Sequence, residues 1–186
     1  MRIKLTLLPA LVLLAMVSCK SAPETKPADS GAVTAATAEE KTAEALPAAD
    51  FTLRDDKGRM QSLSSYKGKV VWLTFWATWC HACKNEMKHL AALKRELGDA
   101  DFEVLAIDTD GPDRVSEAQA QARALGVNFP VLFDSDSRVM SKYNPSGELP
   151  FSVLIDRKGM RRHVQRGFLA GEGAAIEERI RALLAE

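Results

Sequence analysis

The sequence predicts an α/β fold: a mixed central sheet flanked by helices, with a β-hairpin extension at its N-terminal edge. Three observations carry the prediction. Val70 to Phe75 reads Val-Val-Trp-Leu-Thr-Phe, β-branched and aromatic without a charge, the pattern of a strand buried on both faces. Cys83 through Leu97 places Met87, Leu90, Ala91, Leu93 and Leu97 at three- and four-residue steps, as an amphipathic helix does. Beyond it, strand-like and helix-like segments alternate, which implies parallel pairing by crossovers, and a closing hairpin adds an antiparallel edge.

The chain opens with a targeting pattern. Arg2 and Lys4 precede an apolar stretch, Leu5 to Val17, that is interrupted by Pro9 and too short to stay as a membrane span. Residues 1–18 are therefore expected to be an export signal. Lys20 to Leu46 is rich in Ala, Thr, Glu, Lys and Pro and has no aromatic residue, so it buries too little surface to offset its ordering entropy. It reads as a flexible tether spanning roughly 30 Å. Residues 47–186 read as one domain.

Within that domain, Phe51 to Leu53, a turn at Asp55 to Gly58, and Met60 to Leu63 form the hairpin. The strand from Val70 leads into the helix ending near Leu97, and Phe102 to Ile107 is a second apolar strand. Pro112 opens the next helix, where its missing N–H costs nothing, and Gly126 closes it. A short strand (Phe129 to Phe133), a short helix (Ser137 to Tyr143), and strands at Phe151 to Ile155 and Met160 to Arg166 follow. Gly171 to Ala185 is the last helix, with Ile176, Ile180, Leu183 and Leu184 on one face.

Charge excludes one class of partner. The 186 residues carry 25 basic and 25 acidic side chains, so there is no basic footprint for nucleic acid. The chemistry gathers at Trp79-Cys80-His81-Ala82-Cys83, where a buried strand turns into a helix. Residues three apart on a helix are neighbours, so Cys80 and Cys83 can bond to each other. Free amide N–H groups and the positive end of the helix dipole face Cys80 and favour its thiolate, the reactive form. The other readings are a static disulfide or half of a zinc site. Zinc wants four ligands, and neither a second Cys-x-x-Cys nor a His-x-x-x-His is present; His89 and His163 lack ligand spacing. Redox chemistry with no metal and no added cofactor, only the Cys80–Cys83 disulfide, is the expectation. Glu86, three residues after Cys83, can share its face and exchange a proton with it, unless it is a solvated surface glutamate. A cationic His81 would favour the thiolate.

Two resemblances add to this. Met16-Val17-Ser18-Cys19 resembles a bacterial lipoprotein box, with Met16 where Leu is usual. That resemblance implies a lipid on Cys19 holding the protein to a bilayer, on the outer membrane of a Gram-negative host because Lys20 follows. The blocks Phe75 to Cys83, Glu86-Met87 and Leu149 to Asp156 resemble the thioredoxin fold, and more narrowly its exported TlpA/ResA-like branch. The resemblance implies that Cys80 attacks and Cys83 resolves, that Glu86 is the acid near the site, and that Pro150 is a cis-proline. The backbone of Leu149 would then pair with a substrate strand. Thr74 stands where cytoplasmic thioredoxin has a buried aspartate, and Lys88 where the branch often has a helix-kinking proline. Trp76 is expected in the core, and Trp79 and His81 at the lip of the groove. The implied activity is thiol–disulfide exchange with protein disulfides, fed by a membrane-bound electron donor, in the maturation of cytochrome c or metal sites. Two alternatives are a peroxiredoxin-like peroxidase, whose Pro-x-x-x-Thr-x-x-Cys block is missing here, and a copper-binding assembly factor, which uses a wider cysteine spacing.

Overall fold

The computed structural model describes residues 46–98 and 101–186. The export signal, the lipid-box Cys19 and the tether up to residue 45 lie outside them. Strands β1 (Thr52–Asp55) and β2 (Met60–Ser62) form the expected hairpin. Its turn is held by the buried Asp55 carboxylate, which accepts from the Lys57 and Arg59 amides, Arg59 Nε and Gln61 Nε2 at 2.7–2.9 Å. Burial pushes this carboxyl up, but those hydrogen bonds outweigh burial and hold its pKa at about 2.

Next come β3 (Val70–Trp76), α1 (His81–Leu97), β4 (Phe102–Asp108), α2 (Val115–Ala124), β5 (Val131–Phe133) and α3 (Arg138–Tyr143). The chain closes with β6 (Phe151–Ile155), β7 (Arg161–Arg166) and α4 (Glu172–Leu184). The strands form a single sheet in the order β2-β1-β5-β4-β3-β6-β7. Only β3/β4 and β4/β5 are parallel; the hairpin, β1/β5, β3/β6 and β6/β7 are antiparallel. This is the predicted mixed sheet, with β3 at its heart and buried at all seven positions.

Alternation along β3 splits the core into two layers. Val70, Trp72 and Trp76 pack with Met87 and Leu90 of α1, Ala118 and Ala122 of α2, and Ile176, Ile180 and Leu183 of α4. Val71, Leu73 and Phe75 pack with Val139, Met140 and Tyr143 of α3 and with Phe51 and Leu63. Each such buried Leu, Ile or Phe contributes about 1.5–3 kcal/mol. Lys94 reaches into the first layer because its Nζ donates to the Phe102 and Gly98 carbonyls and lies 3.4 Å from Glu103.

α1 begins at His81 with Cys80 as its cap, at the strand-to-helix junction where the sequence sets the pair. Other boundaries differ from the sequence reading for local reasons. β5 starts at Val131 rather than Phe129, since Pro130 has no N–H to give the ladder. Pro112–Arg114 is a separate 3₁₀ turn before α2, and Gly126, at φ +71°, ends that helix as expected. At the end of the sheet where β3 begins, Leu46 and Ala48 bond to Arg161 and Gly159 beside the β6–β7 turn. No helix among the described residues is long and apolar enough to cross a membrane.

Candidate active site

Strand β3 delivers the chain to the site and the following turn is pinned. The Trp76 carbonyl accepts from both the amide and the hydroxyl of Thr109, each at 3.1 Å. The Thr78 amide donates to Asp110 Oδ2 at 2.6 Å, and Gln121 Nε2 donates to the Thr78 carbonyl at 3.2 Å. Cys80 then sits in extended conformation as the cap of α1, its Sγ accepting from the Cys83 amide at 3.2 Å. The two sulfurs are bonded at 2.00 Å with Cα atoms 5.3 Å apart. Cys80 keeps 6% of its surface and Cys83 none, so an incoming group meets Cys80 first.

Glu86 is not a solvated surface residue. It lies one turn beyond Cys83 and is completely buried against β3 and β6. Trp72 Nε1 donates to Oε1 at 3.2 Å, the Thr74 hydroxyl to Oε2 at 3.0 Å, and Ser152 Oγ lies 2.7 Å from Oε1 and 2.9 Å from Thr74 Oγ1. Burial raises its pKa; the hydrogen bonds from Ser152, Thr74 and Trp72 offset part of that rise. The sequence reading missed Trp72 and Ser152 as partners. The available signal was a hydroxyl residue in each of two otherwise apolar strands, which the register sets opposite each other (Thr74 against Ser152).

A second buried acid was also missed. Asp108 ends β4, opposite Trp76, and is pushed up to about 8 by burial first and then by the charge of Asp110 and a hydrogen bond to its side chain. Asp108 Oδ1 and Asp110 Oδ1 have no hydrogen-bond partner, although Arg114 Nη1 lies 3.9 Å from Asp110 Oδ1; a proton on Asp108 would supply a donor that the pair lacks.

Opposite the cysteines, the Leu149–Pro150 peptide bond is cis, and the Pro150 carbonyl accepts from the Gly167 amide at 2.8 Å. Because Phe151 pairs with Phe75, Pro150 lies level with Trp76 and close to the turn that carries Cys80. Trp76 is fully buried, whereas Trp79 is 66% exposed and His81 is exposed beside it. The fold thus gathers Trp79, Cys80, His81, Cys83, Glu86, Leu149 and Pro150 at one end of the sheet; Cys19 lies outside the described residues. No group of three His, Cys, Asp or Glu residues that could hold a metal occurs among the described residues.

Residues 45–164 match the AhpC/TSA family. The thiol–disulfide oxidoreductase ResA of Geobacillus kaustophilus is 37% identical over 135 residues, covering 72% of this chain and 76% of that protein. The chain belongs to the ResA-like thiol–disulfide oxidoreductases. Two solved structures agree on the thioredoxin fold. One is a thiol:disulfide interchange protein DsbE of Chlorobium tepidum, at TM-score 0.69 and 28% identity, covering 75% of this chain and 96% of that one. The other is the exposed lipoprotein thioredoxin Etrx1 of Streptococcus pneumoniae, at TM-score 0.59 and 32% identity, covering 73% and 100%. As a ResA-like oxidoreductase, the chain carries in its bonded Cys80–Cys83 pair a group suited to disulfide exchange.

Proposed function

We propose that this ResA-like chain is a membrane-tethered, extracytoplasmic reductant of protein disulfides, serving the maturation of cytochrome c or of metal sites. The observation that carries the reading is the placement of Cys80 at the cap of α1 with Cys83 sealed behind it. With the pair reduced, the Cys80 thiolate attacks a client disulfide; a Cys80–client bond forms and one client sulfur leaves as thiolate. Cys83 gives its proton to the Glu86 carboxylate and attacks Cys80 Sγ. The second client thiolate leaves, two electrons have passed to the client, and the Cys80–Cys83 disulfide awaits a membrane-bound dithiol donor. Trp79, His81 and the Leu149–Pro150 backbone form the groove for the client strand. The tether reading is supported by the box at Cys19 and by the lipoprotein among the structural relatives.

Trapping tests it. In Cys83→Ala, expressed in the native host, client proteins accumulate as Cys80 mixed disulfides; absence of any adduct above the wild-type background would overturn the role. The AhpC/TSA match favours a second reading, thiol peroxidase. Saturable peroxide consumption that requires Cys80 would establish it, but Thr78 stands only two residues before Cys80 and the peroxidatic block is missing.

A further inference from the structure

Glu86 has three polar contacts, to Trp72, Thr74 and Ser152, and a fourth hydrogen bond joins Ser152 to Thr74. Ser152 has one hydroxyl hydrogen but approaches two acceptors, Glu86 Oε1 at 2.7 Å and Thr74 Oγ1 at 2.9 Å. Thr74 has one and faces Glu86 Oε2 at 3.0 Å. Glu86, Thr74 and Ser152 therefore form a closed three-membered ring, with Trp72 Nε1 as a fixed donor from outside at 3.2 Å.

Two arrangements of the hydroxyl hydrogens are open to the ring. With Glu86 ionised, Trp72, Thr74 and Ser152 all donate to the carboxylate, and the Ser152–Thr74 contact carries no hydrogen. With Glu86 neutral, its Oε2 proton goes to Thr74 Oγ1, Thr74 donates to Ser152 Oγ, Ser152 donates to Oε1, and Trp72 keeps its bond. Only hydroxyl rotation separates the two. In a fully buried site this decides the chemistry, because an acid that leaves a partner unsatisfied in one state resists entering that state.

We propose that Thr74 and Ser152 are positioning residues that let Glu86 gain and lose a proton without any heavy atom moving. The assignment rests on the reading of Glu86 as the proton partner of Cys83. The charged side chain named as acting on Glu86 is Glu172, a like charge. β3 and β6 contribute only Trp72, Thr74 and Ser152; α4 brings Glu172, whose charge raises the Glu86 pKa further. β7 brings Gln165, opposite Ser152, and His163, opposite Leu154, while α1 itself carries Cys83 one turn before and His89 one turn after.

The hydroxyls bind the carboxylate more strongly than the neutral acid, since a hydrogen bond to a charge is worth about twice one to a neutral group. Removing one is therefore expected to raise the Glu86 pKa by about one pH unit, a roughly tenfold change in proton affinity.

The test uses the full chain as wild type, Thr74→Val, Ser152→Ala, Thr74→Ser and Glu86→Gln. Two readouts are taken against pH: the rate of exchange with a small disulfide, and the infrared carboxylic-acid band that Glu86→Gln removes. The expected result is an upward shift of about one unit in both readouts for Thr74→Val and Ser152→Ala, with Thr74→Ser restoring the wild-type profile. If Thr74→Val does not fold, Ser152→Ala carries the test. An infrared titration unchanged in the hydroxyl variants overturns the inference. A rate profile that Glu86→Gln leaves unchanged, with the infrared shift intact, instead removes Glu86 from the mechanism and keeps the ring as a property of the buried acid alone.

Discussion

Replacing Asp108 by Asn is expected to make the protein more stable in mild alkali and flatten its pH dependence. An aspartate has an ordinary pKa of 3.8, and burial with the Asp110 carboxylate alongside takes Asp108 to about 8. Between those values the folded state holds a proton that the unfolded chain has released, so stability falls as pH rises. The slope is about 1.4 kcal/mol per pH unit. From pH 4 to pH 7 the loss from this group is on the order of 4 kcal/mol, and it stops growing once the folded group has itself ionised above about pH 8. Asn carries no charge at any of these pH values and can still donate to Asp110, so the turn at Thr78 stays pinned. Urea unfolding of oxidised wild type and Asp108→Asn, from pH 4.5 to 8.5 at constant ionic strength, measures this directly, because other titrations cancel in the difference. The curves should meet near the acid end and separate by several kcal/mol in favour of the variant at the alkaline end. Parallel curves, or a variant less stable at pH 8, would refute the claim that Asp108 folds with its proton on.

Asp55 should act in the opposite sense. Its folded pKa is depressed to about 2, so it contributes stability above pH 4 that is lost as pH falls through 2; Asp55→Asn is expected to cost about 2 kcal/mol at pH 7 and to show a shallower acid transition by thermal melting. Trp79→Ala, at a largely exposed position, should leave stability within about 0.5 kcal/mol while slowing exchange with protein disulfides far more than with a small one. Equal slowing for both would show that Trp79 tunes Cys80 rather than meeting clients.

The parts of this molecule that were legible in advance are those whose signal is local. Val70 to Trp76 is uncharged and buried throughout, α1 has a clean helical stripe, and the cysteine pair lies at their junction. Pro150 was recognisable from its block, and the peptide bond before it is cis. What escaped was set by register. Glu86 is buried because Thr74 and Ser152, 12 and 66 residues away, are brought together by the antiparallel pairing of β3 and β6. Spacing along one helix could place Glu86 near Cys83 but could not say what would surround it. Asp108 and Asp110 fall between the strand expected to end at Ile107 and the helix opened by Pro112, and the parallel pairing of β3 with β4 is what sets Asp108 beside Trp76.

The point where the chain enters the domain lies well away from the sulfurs. Leu46 and Ala48 are fastened beside the β6–β7 turn, and β6 runs antiparallel to β3, so the entrance lies at the far end of the central strand from the sulfurs. Seven residues of strand separate the two ends by about 23 Å. A group bound at the Leu46 end would therefore leave Cys80 uncovered, so the domain can be held at one pole while it reacts at the other.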